Sequence, residues 1–185
     1  VSLKKKRIAI LNKNKNFLFS KIDITNNNNL KKYFKNKNFD MVFHFAAQAG
    51  VRYSLINPKK YINVNIYGFL NLINCIKENK INKFIYASSS SVYGESKKFP
   101  LKETGATSPK NIYGYSKLIN EQIADYYSRI YSINSIGLRF FNVYGPRQDP
   151  LNPYSGVISI FIEKLLSNQD IIVNGGSQTR DFVYV

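Results

Sequence analysis

Lys83-Phe-Ile-Tyr-Ala-Ser-Ser-Ser-Ser-Val-Tyr-Gly94 is the stretch on which the reading of the fold turns. Its first five residues read as a strand, and four hydroxyls follow at the carboxyl end, where the chain passes into a polar loop. Upstream, Pro58 opens a long helix with Ile62, Ile66, Phe69, Leu70, Ile73 and Ile76 near the three-and-four spacing of a buried stripe. Downstream, Ile112 to about Tyr131 reads as a second helix. A strand flanked by helices of ten or more residues implies right-handed crossovers and a parallel sheet.

Outward from that centre the alternation continues. Residues 3–11 read as the end of an amphipathic helix, and Phe17-Leu-Phe-Ser-Lys-Ile22 as a short strand. The run Asn26 to Asn29 can cap a helix with Leu30, Tyr33 and Phe34 on one face. Met41-Val-Phe-His-Phe45 is apolar enough for a parallel strand covered on both faces. Ser135 to Phe141 reads as strand, Val157 to Leu166 as helix and Ile171 to Val173 as strand. The chain begins without Met and stops inside Asp181-Phe-Val-Tyr-Val185, so both ends are expected to be cuts in a longer protein. In such sheets ligands sit beyond the carboxyl ends of the strands, which puts Asp23, Ala46-Ala-Gln48, Ser88 to Ser91 and Phe141-Asn142 on one rim.

Composition narrows the function. A chain of 185 residues, 44% of them hydrophobic, can bury one substantial core. Lys and Arg outnumber Asp and Glu by 27 to 11, a balance that would ordinarily raise nucleic-acid binding. However, eleven of those bases lie in the first 40 positions among Asn residues, and no stripe of Arg with aromatics accompanies them. This reads as a compositional bias on solvated faces, not as a nucleic-acid surface. Cys75 is alone and reads as a buried structural thiol, which suits a reducing cytoplasm. No stretch approaches the roughly 18 apolar residues of a membrane span, and no metal site is expected.

Chemistry concentrates in Tyr113-Gly-Tyr-Ser-Lys117, a Tyr and a Lys four apart at the start of a helix and therefore on one face. A cation there favours phenolate over phenol and makes Tyr113 a candidate general base. Hydroxyls of the Ser88 to Ser91 run can hydrogen-bond a sugar oxygen while the Tyr removes its proton. His44, between Phe43 and Phe45, is read as a core histidine, and Arg52 as either a reader of a substrate carboxylate or a surface residue.

Seven motifs in order carry a resemblance over nearly the whole chain: Asp23-Ile24; Phe43-His-Phe-Ala-Ala-Gln-Ala-Gly50; Asn65-Ile-Tyr-Gly68; Ala87 to Gly94; Tyr113-x3-Lys117; Leu138-Arg-Phe-Phe-Asn-Val-Tyr-Gly-Pro-Arg147; and Thr179-Arg-Asp-Phe-Val-Tyr-Val185. They resemble the NAD-dependent epimerase/dehydratase family of the extended short-chain dehydrogenases/reductases, and the first half is most similar to UDP-glucuronate 4-epimerases. Phe141 to Pro150 and Tyr154 to Ser159 are more similar to epimerases acting on UDP-glucose or UDP-N-acetylglucosamine. The 4,6-dehydratases carry Asp-Glu where this chain has Ser90 and Ser91, which argues against dehydration, and UDP-glucuronate decarboxylases share the initial oxidation.

The resemblance implies an α/β fold: a Rossmann-like doubly wound parallel sheet over residues 1–145, lacking its first strand and glycine-rich loop, followed at 146–185 by the start of a nucleotide-sugar-binding region. It implies NAD as cofactor, with Asp23 and Ile24 at the adenine end, Ala46, Ala47 and Gln48 along pyrophosphate and ribose, Asn65 supporting that loop and Phe141 beside the cofactor. It implies Ser89 as hydroxyl partner, Tyr113 as base and Lys117 as the group that favours its phenolate and grips the ribose. Ser90, Ser91, Asn142 and Arg180 are implied for the UDP-sugar, Arg suiting a bidentate grip on phosphate. The glycine-rich loop is expected upstream, since the first Gly is Gly50, so these residues alone are expected to bind NAD poorly. A homodimer is implied, through the helices at 58–80 and 112–131.

Overall fold

The computed structural model describes residues 2–96, 99–152, 154–173 and 175–185. In chain order they form α1 (Ser2–Leu11), α2 (Asn27–Phe34), β1 (Val42–His44) and α3 (Val51–Ile56). A continuous helix follows, made of α4 (Pro58–Tyr61), a π turn (Ile62–Tyr67) and α5 (Gly68–Glu78). Then come β2 (Lys83–Ala87), a 3-10 turn (Ser90–Val92), α6 (Ile112–Tyr131), β3 (Asn134–Leu138), β4 (Asn142–Tyr144), α7 (Val157–Leu166) and β5 (Phe182–Tyr184). Strands β1, β2 and β3 form one parallel sheet in that order, with Phe43, Ile85 and Ile136 in register across it. A parallel pair cannot be joined by a tight turn, and the helices from Val51 to Glu78 and α6 supply the two crossovers. The α/β class and the parallel sheet agree with the sequence reading.

The core lies on one face of this sheet. Phe84 and Tyr86 of β2 meet Phe69, Ile73 and Ile76 of α5, with Leu30 and Phe34 of α2 on one side and Ala124 and Tyr127 of α6 on the other. Burying such a side chain stabilises by about 1.5–3 kcal/mol, so this cluster dominates the folding energy. Helix α2 is set as its sequence implies, with the Asn26 side chain accepting from the Asn29 amide and Leu30 and Phe34 turned inward.

Several expectations are corrected. Helix α1 forms, yet Leu3, Ile10 and Leu11 are exposed, because its apolar positions spread round the helix instead of lining one face. Strand β1 is covered on one face only: His44 is buried, while Phe43 and Phe45 remain 61% and 55% exposed. Phe17 to Ile22 and Ile171 to Val173 form no strand, since among the described residues neither has a neighbouring backbone with which to pair. The expected strand from Ser135 to Phe141 ends at Leu138, where the Phe140 amide turns back on the Leu138 carbonyl. Past a last bond from the Ser90 amide to the Phe140 carbonyl the chain leaves the sheet, and β4 pairs in parallel with β5 instead.

The long helix carries a subtler correction. Its π turn inserts one extra residue into the helical repeat. Phe69, Ile73 and Ile76 therefore face the core as expected, whereas Ile62 lies 44% exposed and Asn65, 2% exposed, occupies the inward position.

Candidate active site

One side of this helix collects the loops at the sheet's rim. The hydroxyl of Tyr61, whose ring is fully buried, lies 2.7 and 2.5 Å from the Ala49 and Gly50 carbonyls, which share its one proton. Asn65 accepts from the Gln48 amide through Oδ1 at 2.8 Å and donates through Nδ2 to the Gln48 carbonyl at 3.1 Å. Gly68 leaves room for Ile24, which a Cβ would meet at 2.7 Å. Asn71 Nδ2 donates to the Ile24 and Thr25 carbonyls at 3.1 and 3.4 Å. Residues 23–25 and 48–50 are thereby held along one helix. Asp23 itself is exposed, and its carboxylate closes a turn on the Thr25 amide and hydroxyl, which hold it below the usual carboxylate range. Ala46 and Ala47 follow β1 with small side chains, leaving the backbone of that loop approachable.

The serine run carries the central strand past its carboxyl end: the Ser88 and Ser90 amides donate to the Leu138 and Phe140 carbonyls at 2.8 and 2.9 Å. Ser89 is buried, and its Oγ accepts from the Ser91 amide at 3.1 Å, so its proton stays available to a ligand. Ser90 and Ser91 are half-buried at the start of the 3-10 turn. Ser88 instead donates to Glu121 at 2.5 Å, within an ion pair of Glu121 with Arg139 at 2.7 Å. Arg139 also lies over the Tyr93 ring at 4.8 Å, and Phe141 packs near the same ring at 6.3 Å.

Helix α6 delivers Tyr113 and Lys117 to this run. Asn111 caps it by accepting from the Gly114 amide at 2.9 Å. Gly114 lets the first turn approach the serine backbone, since a Cβ would stand 2.7 Å from the Ser91 carbonyl. Lys117 is 3% exposed and donates from Nζ to the Ala87 carbonyl, immediately before the serines, at 2.7 Å. Burial pushes its ammonium down to about 8, so at neutral pH it is still mainly cationic. Tyr113 is half-buried, its ring edge-on to Tyr61 at 6.2 Å.

His44 packs between Phe69 and Phe84, as a core histidine should, and burial, then the Lys117 charge, pushes it down to about 4. The unfolded chain binds that proton near pH 6.5, so stability falls as pH drops from 6.5 through 4, by up to about 3 kcal/mol. His44→Phe is expected to flatten this acid limb in urea melts of the full-length protein run between those two pH values. An unchanged slope would remove His44 as its source.

The C-terminal residues frame a cavity of about 1120 Å³ whose lining includes Arg52, Tyr53, Tyr154, Phe161, Arg180 and Phe182. No carboxylate lines it, and neither Arg52 nor Arg180 has an acidic partner among the described residues. Asn142 stands outside this lining: the β4–β5 pairing sets it opposite Phe182, and its Nδ2 donates to the Asp181 carbonyl at 2.9 Å. Tyr154 reaches the opposite wall: its hydroxyl receives Gln48 Nε2 at 3.3 Å, and its ring fills the space a Cβ on Gly50 would need. No role was read for Tyr61, Gly114 or Tyr154; Gly114, inside the Tyr-Lys motif, and Tyr154, at the head of the Tyr154 to Ser159 stretch, carried signals that could have found them, and Tyr61 carried none. Among the described residues no group of three or more His, Cys, Asp or Glu could hold a metal, and no helix is long and apolar enough to cross a membrane.

Comparison with known proteins gives this geometry its context. The profile of the family described as "NAD dependent epimerase/dehydratase family" matches residues 3–185. Protein CapI of Staphylococcus aureus is 40% identical over 187 residues, covering 100% of this chain and 54% of its own length. UDP-glucuronate 4-epimerase 4 of Arabidopsis thaliana is 40% identical over 190 residues, with 100% of this chain and 42% of the relative covered. Among solved structures, the UDP-glucuronic acid 4-epimerase of Bacillus cereus, in complex with UDP-glucuronic acid and NAD, superposes with a TM-score of 0.87 at 36% identity, over 99% of this chain and 56% of that one. The UDP-N-acetylglucosamine 4-epimerase of Methanobrevibacter ruminantium M1, in complex with UDP-N-acetylmuramic acid, gives 0.86 at 39% identity, over 92% and 54%. The chain thus spans about half the length of the relatives it matches.

Proposed function

The chain belongs to the NAD dependent epimerase/dehydratase family, and from that membership we propose that the full-length protein interconverts C4 epimers of a UDP-sugar. NAD is the cofactor of this family. The residues present fit it: Lys117 has three ammonium protons and gives one to Ala87, which leaves donors for a ribose, and the Gln48 backbone is held rigid for a close approach. Ala46, Ala47, Gln48 and Phe141 would line the cofactor, with Asn65 bracing the loop and Asp23 and Ile24 at its adenine end. When bound, NAD supplies hydride acceptance from the sugar carbon and return to its opposite face.

The chain's own residues manage protons and position. Tyr113 takes the proton of the sugar 4-hydroxyl and later returns it, with Ser89 hydrogen-bonded to the same oxygen. Lys117, one helical turn beyond Tyr113, holds positive charge at the Ala87 carbonyl just before the serines. Ser90 and Ser91 face the sugar, while Asn142 and Arg180 hold the diphosphate, a role that the acid-free cavity lined by Arg180 favours for the arginine.

The observation that carries this reading is the tie between α6 and the serine run. The Lys117 bond to Ala87 and the close approach of Gly114 to Ser91 hold the Tyr113 turn against the hydroxyls expected to share its substrate oxygen. The test offers UDP-glucuronate, UDP-glucose and UDP-N-acetylglucosamine in parallel to the full-length protein with NAD. The C4 epimer of at least one is expected, and no epimer from any of them overturns the proposal.

A further inference from the structure

Ser116 stands between Tyr113 and Lys117 in the helix and is fully buried. Its hydroxyl donates to the Tyr113 carbonyl at 2.7 Å, a local back-bond that would by itself be an ordinary way to satisfy a buried serine. A second contact makes it more than that. Asn65 Nδ2, from the π turn 51 residues away in sequence, donates to the same Oγ at 3.0 Å. Asn65 also grips both main-chain groups of Gln48, so every polar atom of its amide is engaged. One unbroken chain of hydrogen bonds therefore runs from the Gln48 backbone through Asn65 and Ser116 to the Tyr113 carbonyl.

Its two middle members are 2% and 0% exposed, so no solvent stands ready to replace a lost partner. A hydroxyl has one proton to give. Ser116 spends it on Tyr113, which obliges its lone pair to face Asn65. The position of the loop at 48–50 and that of the turn bearing the base are thus set together.

We propose that Ser116 is a positioning residue that couples the cofactor loop to the base, so that ordering Gln48 around NAD also orders Tyr113. This rests on the reading of Gln48 as cofactor-binding and of Tyr113 as base. Ser116→Ala is expected to weaken NAD affinity and to lower kcat by about tenfold each, the scale of one lost buried hydrogen bond. KM for the UDP-sugar should stay near wild type, because no substrate contact is touched.

The test is a double-mutant cycle in the full-length protein, with Ser116→Ala, Asn65→Asp and the double variant, reading NAD affinity by calorimetry beside kcat and KM. Asn65→Asp keeps the acceptor for the Gln48 amide and removes both bonds that Nδ2 donates, to Ser116 and to the Gln48 carbonyl. The double variant should be no worse than Asn65→Asp alone. Wild-type NAD affinity and kcat in Ser116→Ala, additive losses in the double variant, or a lower melting temperature with affinity unmoved would each overturn the coupling. If the wild-type protein epimerises no UDP-sugar, the functional reading fails by itself, and the affinity cycle still decides the coupling.

Discussion

Tyr113→Phe is expected to lower turnover of the full-length protein by about a hundredfold to ten-thousandfold, the usual loss on removing a general base. Cofactor affinity should stay near wild type. The substitution deletes one oxygen and leaves what holds the residue in place. The ring keeps its edge-on contact with Tyr61, the Asn111 cap still receives the Gly114 amide, and the Tyr113 carbonyl still accepts from Ser116. Steady-state kinetics with the accepted UDP-sugar, beside calorimetric titration with NAD, separate chemistry from binding. Turnover at the wild-type rate would remove Tyr113 from the role of base.

Lys117→Met is expected to act differently, because in the proposed function the ammonium serves the phenol and the ribose at once. Turnover should collapse, and NAD affinity should fall by about tenfold to a hundredfold, as when a charged hydrogen bond is lost. Its stability signature is as specific. The folded protein holds this ammonium down to about 8 against 10.5 for the free group, so the charged form opposes folding at neutral pH by about 3 kcal/mol. That opposition fades as pH rises from 8 toward 10.5, where the unfolded chain binds the extra proton, so wild-type stability gains from this residue across the interval. In the variant the opposition is gone, but the Ala87 carbonyl loses its donor, which costs about 1–3 kcal/mol. The two proteins should melt at similar temperatures at pH 7, with wild type ahead at pH 10. Parallel curves at both pH values would mean that the charge was never suppressed by burial.

Much of this site was legible in the residues because its chemistry demands particular side chains at fixed spacings. The Tyr-Lys pair on one helical face and the hydroxyls at the end of β2 fall where the alternation of strands and helices puts them. What stayed hidden depends on contacts between distant segments. Tyr61 and Asn71 secure loops through main-chain groups, and no local pattern distinguishes them from packing residues. Apolar runs such as Ile171 to Val173 have strand-like composition, but a strand exists only where a neighbour offers its backbone. The turn at Phe140 that sends β4 to pair with β5 is likewise invisible, since no Gly or Pro stands between Leu138 and Tyr144 to mark it.

The π turn at Ile62–Tyr67 bears on how this protein can change over evolutionary time. A single inserted residue advances an α-helix by about 100°, so the halves before and after it stand in different phases. Tyr61 reaches the main chain at 49–50 from the first half, while Gly68 and Asn71 engage residues 24–25 from the second, and both depend on that offset. Deleting one residue within the turn would leave an entirely regular α-helix of better local geometry, with its two sets of loop contacts pointing past each other. Length in this segment is therefore constrained more tightly than identity: most side chains on its outer side can drift, but an insertion or deletion of one position cannot be absorbed without separating the loop at 48–50 from the turn that bears Tyr113.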